Sequence, residues 1–418
     1  MNALQKIFSF VLLITTFSAN AGDPLTLKQA IEQAIADDAL ILGISEERNA
    51  WQELSVSSQA WADPKLRFGA QGVPIDTFDL DQEAMTQVVF GYQQMFPRGN
   101  MLNNKAAVMQ SNAGHEKSKL ELRKRKIALS VKKSWYAVLF RRNAIKIIQS
   151  NRKVFEKVLD INESFYASGK TDQQKVVQAE LDISLIDDQL QNMQSELMVA
   201  EAALAKWLGG KLNVQIDNHP HDDIEFIPPY RELKLDVENH PLIKQANDKL
   251  SKHKNMLAMA QDKYSAQWGL DVRYGFRQGE NPNGSSRADF LTAMVTVDLP
   301  VFTEQKQDRD VAASRSRVQS ARYKVIDIER ELLTQVKQTH VRLIKFQQRL
   351  KMYKVRIKPQ SKHNSEVAML GYQSGVVDFI TLSKAQVMEF KTELAELKLE
   401  YQFNKTLSNL EFLVGEIE

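Results

Sequence analysis

Two kinds of periodicity divide the chain. Val387, Phe390, Leu394, Leu397 and Tyr401 fall at steps of three and four, and Leu343, Leu350 and Ile357 recur every seventh position. This is the stripe of helices packed as coiled coils, with charged residues on the other faces. The helices are long. Positions 103–167 hold no proline and one glycine, Gly114; at about 1.5 Å per residue such a helix extends for roughly 95 Å. Its partner is expected over 171–208. A second pair is expected over 307–373 and 377–413, with Pro359 removing a hydrogen bond and kinking the longer helix. Elsewhere the period is two. Leu66, Phe68 and Ala70 alternate with Lys65, Arg67 and Gly69, and Thr86, Val88, Phe90 and Tyr92 with Gln87, Val89, Gly91 and Gln93. Leu270, Val272, Tyr274 and Phe276 alternate with Asp271, Arg273, Gly275 and Arg277, and the apolar positions of 291–299 with Thr292, Met294, Thr296 and Asp298. These are four strands, each with one apolar face.

The two patterns occur twice, in the same order. Tyr166-Ala167-Ser168-Gly169 is matched by Tyr372-Gln373-Ser374-Gly375, Asp172 by Asp378, Ala179 by Ala385, and Arg67-Phe68-Gly69 by Arg273-Tyr274-Gly275, all at an offset of 206. A constant offset at both ends of the unit indicates a duplication. Each copy reads helix, strand, strand, long helix, long helix. The opening helical stretches are expected over 27–61 and 241–267. The copies span 22–210 and 240–418. Between them 211–239, with Pro220, Pro228 and Pro229, reads as an irregular connector. Gly169 and Gly375 stand where each long helix must reverse, a place for a residue free to adopt positive φ.

The first 21 residues change the picture. Lys6, an apolar run from Ile7 to Phe17, and Ala19-Asn20-Ala21 have the form of a secretory signal, too short to span a bilayer. The chain has no cysteine, so disulfides, thiolate metal sites and an acylated lipoprotein are excluded. The net charge of +3 gives no nucleic-acid footprint, and Arg123-Lys124-Arg125-Lys126 lies in a helical pattern as a solvated face. No later stretch has 18 consecutive apolar residues. An exported chain of this kind is periplasmic, released, or set in an outer membrane through strands. Four strands do not close a barrel around a pore, so a membrane reading requires shared strands; three copies supply about twelve. A periplasmic coiled-coil scaffold with a small β-domain remains the alternative.

A signal, a duplicated helix–strand–strand–helix–helix unit, and glycine-turned hairpins together resemble the TolC family of outer-membrane efflux proteins over essentially the whole mature chain. Asp63-Pro64-Lys65-Leu66, Leu80 through Gln87, and Gln94-Met95-Phe96-Pro97-Arg98-Gly99 look closest to its heavy-metal, Cus/Czc-like branch. The resemblance implies a homotrimer in outer-membrane lipid of a Gram-negative bacterium, with four strands per protomer in a 12-stranded β-barrel above an α-barrel. It also implies a periplasmic adaptor and an inner-membrane pump of RND type, no cofactor and no enzymatic activity. The cargo would be heavy-metal cations; a multidrug or type I secretion channel is the alternative. Tyr166, Gly169, Lys170 and Thr171, with Tyr372, Gly375, Val376 and Val377, match the family's tips and are expected to contact the adaptor. The prototype's acidic gate is not carried over: its places hold Thr381 and Lys384, and Lys175 on the first tip. Asp172 and Asp378 would then supply a different ring, or simply cap their helices.

The remaining chemistry is sparse. His219-Pro220-His221-Asp222-Asp223 offers two weak candidate metal ligands, His219 and His221, in a proline-rich segment. Neither GxSxG nor HExxH is present, and no phosphate-cradling GxxxxGK[ST] occurs.

Overall fold

A computed structural model describes residues 24–210, 215–217 and 226–415. The 21-residue signal and the pair His219 and His221 lie outside the described residues. The elements are α1 (Leu27–Ala36), α2 (Ala39–Ser57), β1 (Lys65–Gln71), β2 (Gln87–Met95), α3 (Met101–Ala167), α4 (Gln173–Ala205), α5 (Tyr230–Val237), α6 (Pro241–Asp262), β3 (Gln267–Phe276), β4 (Phe290–Asp298), α7 (Gln307–Met352), a π-helical turn (Tyr353–Ile357), α8 (Lys358–Gln373) and α9 (Phe379–Val414). The fold is mostly helical with one small antiparallel sheet.

The long helices form a wall. α3 has 67 residues, roughly 100 Å. It packs between α4 and α9, and α9 in turn packs against α7 and α8. The order across the wall is therefore α4, α3, α9, α7–α8. Where α3, α4 and α9 meet, Ile148, Phe155, Ile186 and Phe390 are buried together. Ion pairs stitch neighbours: Arg142 to Glu201 at 2.6 Å, Lys132 to Glu411 at 2.6 Å, and Arg152 across to Asp187 at 2.6 Å.

The short helices thicken the wall at mid-height. Ala30 and Ala34 of α1 sit on Val131, Trp135 and Val138 of α3. On the second copy, Leu233 and Val237 of α5 and Ile243 of α6 sit on Leu332, Val336 and Leu343 of α7. Three expectations are corrected here. The 27–61 stretch is two helices, broken at Asp37-Asp38 because the Asp38 carboxylate accepts the Ile41 amide and starts α2 afresh. The connector 211–239 is not irregular throughout. Leu233 and Val237, one helical turn apart, give α5 a buried stripe, and its flanking prolines lie outside the helix, with Pro229 at the N-cap. The stretch expected to run to Gln267 ends at Asp262, and Gln267 begins β3.

Pro359 acts as expected on the hydrogen bonding, but the helix answers with a wider turn. Lys358 N–H bonds to the Tyr353 carbonyl, five residues back. A proline four residues further on would press its ring against the Val355 carbonyl of a regular helix and offer it no N–H. A wider π turn just before such a proline relieves this kind of clash.

The sheet has the order β1-β2-β3-β4, every pair antiparallel. α3 starts six residues after β2 and ends at a hairpin turn, so sheet and turns lie at opposite ends of the wall.

Candidate functional site

Two regions carry the features singled out by the sequence: the hairpin tips and the sheet.

Both tips close with the same turn. At the first, Gly169 has φ of 71°, its N–H bonds to the Tyr166 carbonyl at 3.0 Å, and Lys170 N–H bonds to the Phe165 carbonyl at 2.8 Å. At the second, Gly375 has φ of 77°, with Gly375 N–H to Tyr372 O at 3.0 Å and Val376 N–H to Gly371 O at 2.9 Å. These paired bonds are the Schellman ending of a helix, which needs a left-handed residue where glycine stands. Each next helix then opens on an aspartate. Asp172 accepts the Lys175 amide at 3.2 Å, and Asp378 accepts the Thr381 amide at 2.7 Å. That bond holds the Asp378 carboxyl below the usual aspartate range. Asp172 also lies 3.7 Å from the Lys175 ammonium. The two carboxylates are thus committed to capping α4 and α9, and the tips are turn-and-cap units repeated 206 residues apart.

Their surfaces differ. Tyr166 is 49% exposed and Tyr372 only 5%. The Tyr372 hydroxyl donates to Asn162 Oδ1 at 2.7 Å, and its ring packs on Phe165 and Phe379. Tyr372 therefore belongs to the core that joins the two hairpins, with Val158, Ala368, Leu382 and Ala385. Of the tip residues that the family resemblance implies would meet an adaptor, Tyr372 is the one buried within this chain. Gly371 makes room for this second tip: a Cβ there would stand 2.6 Å from the Val377 side chain. What the tips present outward is Tyr166 and Lys170 from the first, with Thr171 half-buried, and Val376 from the second, with Val377 half-buried. Thr381 and Lys384 are exposed on the first turns of α9, and Lys175 is half-buried on α4.

The sheet has two chemically distinct faces. Leu66, Phe68, Phe90, Tyr92, Tyr274, Leu291 and Val295 share one face and are exposed. The opposite face carries an ion cluster. Asp271 is buried and accepts two bonds from Arg273, at 2.7 and 3.1 Å, while Arg67 approaches at 3.5 Å. Arg67, Gly91 and Arg273 stand in one row across β1, β2 and β3. Gly91 has no side chain, so Arg67 on β1 reaches over it to the carboxylate that Arg273 holds on β3. The matched Arg-Phe-Gly and Arg-Tyr-Gly segments are thus neighbours in space. Sequence reasoning missed the cluster because nothing local marks Asp271 as the shared partner. Among the described residues, no helix is long and apolar enough to cross a membrane, and no group of His, Asp and Glu is arranged to hold a metal ion.

Comparison with known proteins adds to this geometry. The family model described as outer membrane efflux protein matches residues 30–210, nearly the whole first copy. No curated protein matches the chain. Among solved structures, the outer-membrane channel OprN is 16% identical with a TM-score of 0.76, over 93% of this chain and 89% of that one. CusC, described in a study of folding and transmembrane channel formation, is 15% identical with a TM-score of 0.77, over 93% and 92%. The outer membrane protein VceC of Vibrio cholerae is 15% identical with a TM-score of 0.73, over 93% and 96%. Both copies, including the second, where the family model is silent, share the fold of these outer-membrane channels.

Proposed function

We propose that this chain is the outer-membrane channel subunit of a tripartite efflux system, a conduit and not an enzyme. The observation that carries this reading is the sheet: one face is apolar and exposed, the other is polar, and among the described residues neither edge has a partner strand. An apolar face of that kind suits lipid, and unpaired edges are not tolerated there. Three copies supply twelve strands, and their helical walls continue the pore away from the membrane as an α-barrel. The tips at the far end are the surface for a periplasmic adaptor coupled to an inner-membrane pump, with Tyr166, Lys170 and Val376 best placed to touch it. The family match over 30–210 and the fold of OprN, CusC and VceC support the same reading.

We read the cargo as heavy-metal cations, on the segments entering and leaving the first two strands that look closest to the heavy-metal branch. Selection of the ion then belongs to the pump, because the described wall has no cluster built for metal. The test has two parts. Purified protein in planar lipid bilayers should give discrete conductance steps; their absence overturns the channel. A deletion strain should become sensitive to copper, silver, zinc or cobalt and be rescued by the wild-type chain. Sensitivity confined to dyes and antibiotics moves the cargo to the multidrug class and leaves the channel standing.

A further inference from the structure

The shared-barrel reading above leaves open how one copy joins the next, and the strands carry enough information to specify it. All seven residues of β1 are exposed, and so is β4 except at Val297, whereas β2 and β3 are largely half-buried or buried. Neither edge contains a proline, and open edges of this length are templates for another strand. The occupant that fits is a second copy of this chain. β1 and β4 run antiparallel to each other, so β1 of one copy and β4 of the next meet as an ordinary antiparallel pair. β1 carries Lys65 and Arg67, and β4 carries Asp298.

Three constraints fix the alignment. The first is facial. Leu66, Phe68 and Ala70 must fall on the same side as Leu291, Ala293, Val295 and Val297, so a slip of one residue is forbidden. The second is closure. The row that starts at Arg67 crosses Gly91 and Arg273 and reaches Thr292. Continued straight to the next copy's Arg67, the barrel would have no shear and upright strands, whereas closed barrels tilt their strands by roughly 35–45°. With strands about 4.8 Å apart and residues about 3.3 Å apart, an advance of two residues per copy gives a tilt of roughly 20°, four roughly 35°, and six roughly 45°. The third is overlap. An advance of four pairs every residue of β1 with residues 292–298. An advance of six leaves Lys65 and Leu66 past the end of β4, and an advance the other way leaves nearly all of β1 unpaired.

We infer that neighbouring copies join with Gln71 opposite the partner's Thr292, Phe68 opposite the partner's Val295, Arg67 opposite the partner's Thr296, and Lys65 opposite the partner's Asp298. The last pair brings together opposite charges. Among the described residues Lys65 has no ion pair of its own, and Asp298 has only Arg98, at 3.3 Å. The alignment therefore places a salt bridge at the end of the seam nearest the helices, where both side chains reach water.

The absence of native cysteine makes this directly testable. Residues directly opposite have Cα atoms about 4.5–5.5 Å apart, within disulfide reach, while a displacement of two residues puts them about 7–8 Å apart, beyond it. The double variant Arg67→Cys with Thr296→Cys, oxidised in outer-membrane fractions, should give reducible dimers and trimers several-fold in excess of Lys65→Cys with Thr296→Cys or Gly69→Cys with Thr296→Cys. Phe68→Cys with Val295→Cys repeats the test without touching the ion cluster. Cross-linking dominated by a displaced pair overturns the register and leaves the shared barrel intact. No covalent species from any pair, in protein that retains its helical circular dichroism, removes the seam and the shared barrel with it.

Discussion

The two copies of the repeat share one order of elements and the same turn at each tip, with different chemistry. α2 opens on Asp38, whose carboxylate accepts the Ile41 amide and pairs with Arg123 at 2.6 Å. α6 opens on His240, which does the same task with a neutral ring: Nδ1 accepts the Leu242 amide at 3.2 Å, and the ring lies edge-on to Phe412 with no exposure. At the tips the copies again match in turn and cap but not in packing, since Tyr372 is buried where Tyr166 is exposed. Stepping 206 residues between copies explains this. The places of Asn162 and Phe165 on the first hairpin are held by Ala368 and Gly371 on the second, and that of Phe379 by Gln173. One hairpin supplies the tyrosine, the other supplies its hydrogen-bond partner and an aromatic neighbour. Duplication preserved what the backbone needs and let the side chains specialise for the seam between the copies.

That contrast can be broken at its strongest point first. Tyr372→Ala removes a buried ring and strands Asn162, and should cost about 3–5 kcal/mol in urea unfolding of the detergent-solubilised protein, against less than about 0.5 kcal/mol for Tyr166→Ala. Equal losses would mean that the tips are equivalent. Acid should separate the copies next. Burial, aided by Arg125 nearby, pushes His240 down to about 4. Below pH 6.5 the unfolded chain takes up a proton that the folded ring refuses until about pH 4, so stability falls across that window by roughly 3 kcal/mol at most. Asp38 also loses its contribution on acidification but in a lower window: Arg123 holds its carboxyl low, so the loss begins only as pH falls through the ordinary aspartate value and continues toward the lower folded one. His240→Asn keeps a capping oxygen and should flatten the pH 4–6.5 slope of the urea midpoint; an unchanged slope would assign it to other groups. Tyr372→Phe keeps the ring and leaves Asn162 Oδ1 without its donor, a loss of about 1–2 kcal/mol in the same unfolding experiment. The smallest effect should be symmetric. Gly169→Ala and Gly375→Ala each place a Cβ in a left-handed turn with open space around it, and should cost about 1 kcal/mol apiece, because the two turns are alike.

Much of this architecture is legible in the sequence where the signal is local. Alternation placed all four strands, and the glycine turns placed both tips, because period and positive φ are properties of a few adjacent residues. α5 was hidden because eight residues beside a proline pair show too little periodicity to stand out from a connector. Asp38 was hidden inside a stretch that is apolar enough on both sides to read as one helix. The π turn follows from Pro359 only once the carbonyl it would clash with is located. Tyr372 shows the limit most clearly. Its environment is made by Asn162 and Phe165, more than two hundred positions away, and identical tyrosines in identical turns carry no mark of which one has such neighbours.

The π turn has a further consequence. The first copy's long helix uses 67 residues without interruption; its counterpart uses 46, 5 and 16, the same number, with one wide turn. In the trimer proposed above, the two hairpins of each protomer would alternate around the ring, one with an unbroken long helix and one with a wide turn. Such a ring would have threefold and not sixfold symmetry, so a ring of six identical subunits set on its tips would have to bind in two non-equivalent ways, and a ring of three could choose one.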